Sequence, residues 1–167
     1  MFNGILKAEI PAASVCADYL TGVDYRDAFC ARLADSARPI GDIYVALFAH
    51  SPGWINALMA VRNKLAGFLG LDDYNNAASI TREGLKVGAR SGLFLIYAIG
   101  ENEIIAGEDD RHLNFRVSVY KQNDEVVIST MVKYNNRLGR LYMRLIRPFH
   151  KMVVMAMLHK AIKEKRI

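Results

Sequence analysis

Cysteine is scarce in this chain: Cys16 and Cys30 are the only two in 167 residues. Thirteen residues separate them, and no second Cys or His stands near either, which excludes a metal or redox pair by spacing. Two reduced thiols in a cytoplasmic protein are the expectation. No stretch approaches the ~18 uninterrupted apolar residues of a membrane span. The first dozen residues carry Lys7 and Glu9 within their apolar stretch, so no secretory signal is expected. Gly-rich phosphate loops, G-x-S-x-G, H-E-x-x-H and C-x-x-C are absent, which removes the nucleotide-loop, serine-hydrolase and zincin readings. Repeats, low-complexity tracts and Gly/Ser linkers are also lacking.

Acid is missing from one region in particular. Residues 136–167 carry nine Lys/Arg and a single acid, Glu164, for a local net charge of +8. The chain totals +5, so the rest sums to −3. The basic character is local, and a surface built throughout for nucleic acid is excluded, so no nucleic-acid partner is expected.

What is present suits one globular domain. A chain of 167 residues fits the single-domain range, and a globule of this size buries roughly 70% of the surface its unfolded chain exposes. The hydrophobic share of 52% suffices for a core of that extent.

Along the chain, residues 1–24 are weakly patterned, and the domain proper is expected over 25–167. Tyr25, Asp27, Phe29, Ala31 and Leu33 alternate, predicting a first strand over 25–33. Pro39 opens a helix over 39–49, carried by Ile40, Ile43, Tyr44, Leu47 and Phe48. Ser51-Pro52 caps a second helix over 52–69, stopped by Gly70. A short strand is predicted near 78–82. Strands follow over 93–99, 103–107, 112–120 and 125–134, separated by turns rich in Asp, Asn and Gly. The run 93–99 is continuously apolar, predicting a central strand buried on both sides. In 112–120, Leu113, Phe115, Val117 and Val119 share one face, while His112, Asn114, Arg116, Ser118 and Tyr120 share a face expected to meet water.

A helical run over 136–165 closes the chain. Arg137, Arg140, Arg144, Arg147 and Lys151 fall within about an 80° arc at helical pitch, one cationic stripe. Opposite it stand Leu138, Leu141, Tyr142, Leu145, Phe149 and Met152, expected to pack on the sheet. Residues 152–158 are apolar all round and are expected to be buried. Pro148 is expected to kink or break the helix.

Few residues suggest chemistry. Asp109, Asp110 and His112 are ordinary metal ligands by type, but an Asp-rich turn accounts for them more simply, and neither metal nor cofactor is expected. His150, beside Pro148-Phe149, is placed to meet a ligand or carry a proton. Trp54, the single tryptophan, is a core anchor or a pocket wall.

Several phrases taken together carry a resemblance: Ser-Pro-Gly-Trp-Ile-Asn-Ala-Leu-Met-Ala-Val-Arg-Asn-Lys-Leu (51–65), Glu-Asn-Glu-Ile-Ile-Ala-Gly-Glu-Asp-Asp-Arg-His-Leu-Asn-Phe-Arg-Val-Ser-Val (101–119), Asn-Arg-Leu-Gly-Arg-Leu-Tyr (136–142) and Arg-Pro-Phe-His (147–150). Over roughly residues 25–162 the chain resembles the bacterial domain-of-unknown-function family numbered 2867, which looks like a branch of the START-like, polyketide-cyclase-like superfamily. The resemblance implies an α+β helix-grip fold: an antiparallel sheet curved around a long C-terminal helix, with two short helices after the first strand. It implies a cavity for a lipid-like guest and transfers no catalytic residue.

The expected function is therefore binding of a small apolar or amphipathic ligand between the sheet and the terminal helix, rather than catalysis. The expected contacts are Trp54, Tyr97, Phe115, Arg116, Tyr142, Phe149, His150 and Met152. Two alternatives stand beside it. One is a cyclase- or hydrolase-like enzyme using His150 or His112 with a carboxylate such as Glu103 or Asp110. The other is a membrane-surface or protein-docking module using the basic stripe from Arg137 to Lys151.

Overall fold

The computed structural model describes residues 4–50, 52–55 and 79–167. Its strands are β1 (Ile5–Lys7), β2 (Tyr25–Arg32), β3 (Arg90–Ser91), β4 (Phe94–Ile99), β5 (Glu103–Asp109), β6 (Leu113–Gln122) and β7 (Glu125–Tyr134). Helices α1 (Ile40–Phe48) and α2 (Arg137–Lys163) accompany them, with a 3-10 turn at Cys16–Tyr19. The strands form one antiparallel sheet in the order β1-β2-β7-β6-β5-β4-β3. The meander from β3 to β7 is local in sequence, and β2 then pairs with β7 along its whole length. β6 and β7 pair over ten positions around a two-residue turn, where Asn123 takes φ 54°. Asn tolerates that left-handed geometry because its side chain bonds locally.

Cross-strand register sorts the sheet into two faces. Asp27, Thr130, Val117, Ala106 and Ile96 form one row of the inner face, and Tyr25, Val132, Phe115 and Glu108 form the row beside it. α1 and the second half of α2 close this face. Ile43, Tyr44 and Leu47 meet Val154, Leu158 and Ala161 over Phe29, Val119, Ile128 and Ile104, a continuous buried core.

The start of α2 is pinned to the β5–β6 turn. Asn136 caps the helix by accepting from the Gly139 amide at 3.0 Å, and its amide group donates to the Arg111 carbonyl at 3.1 Å. A Cβ at residue 139 would stand 1.9 Å from the His112 carbonyl oxygen, so only glycine permits this approach.

The back face was expected to meet water; instead residues 8–24 lie across it. Ile10, Cys16, Leu20 and Val23 pack on Ile105 and Met131, and Ala8 and Ile10 pack on Ala28, Cys30 and Val127. Arg116 and Ser118 are consequently buried. Alternation assigns a polar side chain to a face, and it does not say what covers that face. β1, β3 and the 3-10 turn lacked a sequence signal because each is only two to four residues long.

Other expectations shift as well. β4 lies beside the short edge strand β3 and is only partly buried, with Ile96 alone fully inside, because an irregularity between Ile96 and Ala98 interrupts its pairing with β5. No strand forms over 79–82. Pro39 caps α1 from outside with extended backbone (ψ 144°) rather than occupying its first turn. Residues 53–55 are helical, and the remainder of the helix predicted over 52–69 lies outside the described residues. α2 runs unbroken through Pro148, which stands on its exposed side.

Candidate functional site

The inner face carries a carboxylate in an otherwise apolar layer. Asp27 is 8% exposed, and β2 directs it toward α2 along with Tyr25, Phe29 and Ala31. Taking a carboxylate out of water is costly unless donors replace the lost hydration. Two donors do so here. The Tyr25 hydroxyl bonds Asp27 Oδ2, and His150 Nε2, one turn after Arg147 on α2, lies 3.4 Å from Asp27 Oδ1.

The electrostatics follow from this packing. Burial on its own raises the Asp27 pKa, but the hydrogen bond and electrostatic attraction from His150, then the Tyr25 bond and Lys151, together hold the carboxyl below the usual carboxylate range. Burial, then the bond to Asp27 and that anion's charge, push the Tyr25 phenol upward, against a lowering by Arg147. The Arg147 guanidinium sits 5.2 Å from the Tyr25 ring centroid, and the His150 ring meets Tyr25 edge-on at 6.5 Å. His150 keeps 21% of its side chain open to solvent, so the network has one accessible end.

An aromatic series shares this face. Tyr44 and Phe48 have ring centroids 4.6 Å apart, Phe48 and Phe94 5.8 Å, and Phe94 and Phe115 5.6 Å. Phe48, Phe94 and Phe115 are only half-buried. Phe115 stands in the same cross-strand row as Tyr25, two strands away, a separation of about 10 Å at normal strand spacing.

Of the residues expected to contact a ligand, Phe115 and His150 lie on this face, and Tyr142 is half-buried on α2. Tyr97 and Arg116 lie on the opposite face, with the guanidinium 3.7 Å from the Tyr97 ring centroid and 2.8 Å from Asp109. The strand irregularity beside Ile96 and the alternation of β6 turn them away from α2. Trp54, Phe149 and Met152 are exposed at 41%, 45% and 38%. The phase of α2 explains the last two. It meets the sheet through Gly139, Met143 and Val154, so Leu141, Leu145, Phe149 and Met152 of the predicted sheet-facing stripe point outward, while Leu138 and Tyr142 are half-buried. Only the lower half matches expectation, with Val154, Ala156, Met157 and Leu158 buried.

The carboxylate partners differ from those expected. Glu103 lies on the back face and accepts from the Ser14 hydroxyl at 2.5 Å, the Val15 amide at 2.9 Å and the Ser118 hydroxyl. The sheet therefore separates it from His150. Asp110 accepts from the His112 amide at 3.0 Å, and His112 Nδ1 faces Asn136, so this pair ties the turn to α2. Asp109 is held by Arg116, and the described residues contain no cluster of three or more potential metal ligands. The residue that sequence reasoning missed is Asp27. Its signal was available: a charged side chain in phase with Tyr25, Phe29, Ala31 and Leu33.

One open cleft of about 490 Å³ lies elsewhere, between the start of α1 and the β4–β5 turn. Its cations are already engaged, Arg82 with Asp42 at 2.8 Å and Lys121 with the carbonyls of Ser36 and Arg38. None of the expected contact residues lines it.

Fold and site together define an α+β domain with a seven-stranded antiparallel sheet, a C-terminal helix over its inner face and, between them, a buried carboxylate bonded to a half-buried imidazole. Residues 19–157 match the family described as protein of unknown function, DUF2867, and the chain belongs to that family. No curated protein and no solved structure matches it. Among the described residues no helix is long and apolar enough to cross a membrane.

Proposed function

We propose that this chain is a cytoplasmic ligand-binding module of the helix-grip, START-like kind, taking a small amphipathic molecule on the inner face of the sheet beneath the first half of α2. The observation that carries the proposal is the buried Asp27 carboxylate, held by Tyr25 and by a His150 that keeps one side open. A buried carboxylate is weak evidence for stability, and one paired with a group that reaches solvent is a functional-site candidate. The half-buried rings of Phe94 and Phe115 on the same face suit an apolar body, while the His150 end suits a hydroxyl or amine head. Tyr142 is a further contact in this reading. The strand order, with the first long strand returning beside the last and a terminal helix across the sheet, supports the helix-grip reading.

Displacement of a dansyl-labelled fatty acid from the full chain tests this reading. Saturable binding is expected, weakened about tenfold by Phe115→Ala and by His150→Ala, which corresponds to about 1.4 kcal/mol each. Absence of saturable binding to the unaltered chain overturns it. A second reading, acid–base catalysis by His150 with Asp27 as its orienting partner, rests on the same pair. It differs in requiring turnover, read by mass spectrometry of candidate acyl or cyclisable substrates incubated with the protein and with His150→Ala.

A further inference from the structure

The outward side of α2 is as informative as its inward side. Leu141, Leu145, Phe149 and Met152 recur at spacings of four, four and three, and they are 54%, 63%, 45% and 38% exposed. On a helical projection they occupy an arc of about 80° pointing away from the sheet. A contiguous apolar strip of this kind on a monomer marks a contact surface. Beside it run Arg137, Arg140, Arg144, Arg147 and Lys151, all on one flank. No Asp or Glu occurs anywhere from residue 126 to residue 163.

We propose that the first half of α2 docks this protein on an anionic phospholipid surface, with Leu141, Leu145, Phe149 and Met152 at the acyl boundary and the arginines at the headgroups. Charge complementarity decides the occupant. Antiparallel pairing of two copies through this strip would bring two cationic flanks together, with no carboxylate on α2 to pair with them. A single-stranded nucleic acid would satisfy the arginines and leave the four apolar side chains in water. A membrane with anionic headgroups satisfies both halves of the surface, since basic side chains reach outward while the apolar face lies at the interface. The helix can cover the sheet and meet a membrane at once because the two tasks use opposite sides of it.

The test is co-sedimentation of the full chain with vesicles of phosphatidylcholine alone and of phosphatidylcholine mixed with phosphatidylglycerol, at low and high salt. Binding is expected only with phosphatidylglycerol, and it is expected to weaken with salt as screening shortens the reach of the charges. Arg140→Ala with Arg144→Ala is expected to reduce partitioning about 25-fold at low salt, near fivefold per charge. Leu145→Ser with Phe149→Ser is expected to abolish it. These side chains face water, so far-UV circular dichroism stays unchanged, and Leu145→Phe retains binding. Equal binding to neutral vesicles, sedimentation of the serine variant at the wild-type level, elution as a dimer that the serine pair dissolves, or preference for a single-stranded oligonucleotide would each overturn the proposal.

Discussion

Asp27 on the inner face and Glu103 on the back face are both carboxylates taken out of water by one sheet, 8% and 7% exposed. Their surroundings differ. Glu103 receives two serine hydroxyls and a backbone amide, all from its own chain, with two of the three contributed by the segment that crosses the back face. Asp27 receives a phenol from its own strand and an imidazole from the helix above, and that imidazole reaches solvent. Burial imposes a similar desolvation cost on both. On the back face the cost is offset by a closed ring of donors, which makes Glu103 a clasp. On the inner face it is offset by a partner that can also contact something else, which leaves Asp27 the capacity to act.

The largest effect should come from breaking the clasp. Glu103→Ala removes three hydrogen bonds to a buried carboxylate and strands the buried hydroxyl of Ser118. We expect a loss of about 3 kcal/mol in urea unfolding. The same change should loosen the segment that buries Cys16. Burial, then the nearby Glu103 charge, push the Cys16 thiol up to about 12 against a lowering by Arg116, so the native chain should resist alkylation there. Faster labelling of Cys16 in the variant, under native conditions, identifies the segment that has let go. A variant as stable as the wild type, with Cys16 still protected, would show that the segment is held by its apolar contacts alone.

Periodicity made the frame legible and left its covers illegible. The strand pattern ending in Val126, Ile128, Val132 and Tyr134 located β7 to the residue, and Ile40, Ile43, Tyr44 and Leu47 located α1 within one residue at either end. Those elements bury an apolar face, so their period is written in the side chains. Residues 8–24 carry no period, because they cross the back face as an irregular strap fixed by single side chains such as Cys16 and Leu20. α2 misled for a related reason. It has two apolar arcs, and composition does not say which one meets protein. Gly139 does say so, since only the sheet side needs the missing Cβ, and a glycine in the first turn of a long helix was the available clue. His150 was legible as a lone imidazole at a helix turn, and Asp27 became meaningful only once β2 was laid beneath it.

Asp27→Asn sharpens the contrast between the two carboxylates with a smaller effect. The amide preserves shape but weakens the bonds to Tyr25 and His150, and we expect a loss of about 1.5 kcal/mol at neutral pH. The sign of its pH dependence follows from the lowered pKa. The ionised group binds its proton more weakly in the folded chain than in the unfolded one, so its contribution is complete above the ordinary value of 3.8 and disappears as pH falls through the folded value beneath it. Urea midpoints of wild type and Asp27→Asn should therefore converge on acidification below that value. A difference that persists unchanged into acid would show that the amide perturbs packing instead of charge.

The smallest effect belongs to the outer side of α2. Leu145 is 63% exposed and Leu158, about three and a half turns later on the same helix, is fully buried. Leucine in water gains nothing from folding, so Leu145→Ser should change unfolding free energy by no more than about 0.5 kcal/mol. That near-zero result is what makes the outer strip informative, because a stability function would have to show itself there. A loss comparable to the ~2–5 kcal/mol of a buried leucine truncation would mean that the strip packs on the protein itself in solution. A silent substitution that nevertheless removes vesicle binding separates the two sides of one helix into a part that holds the fold and a part that meets a surface.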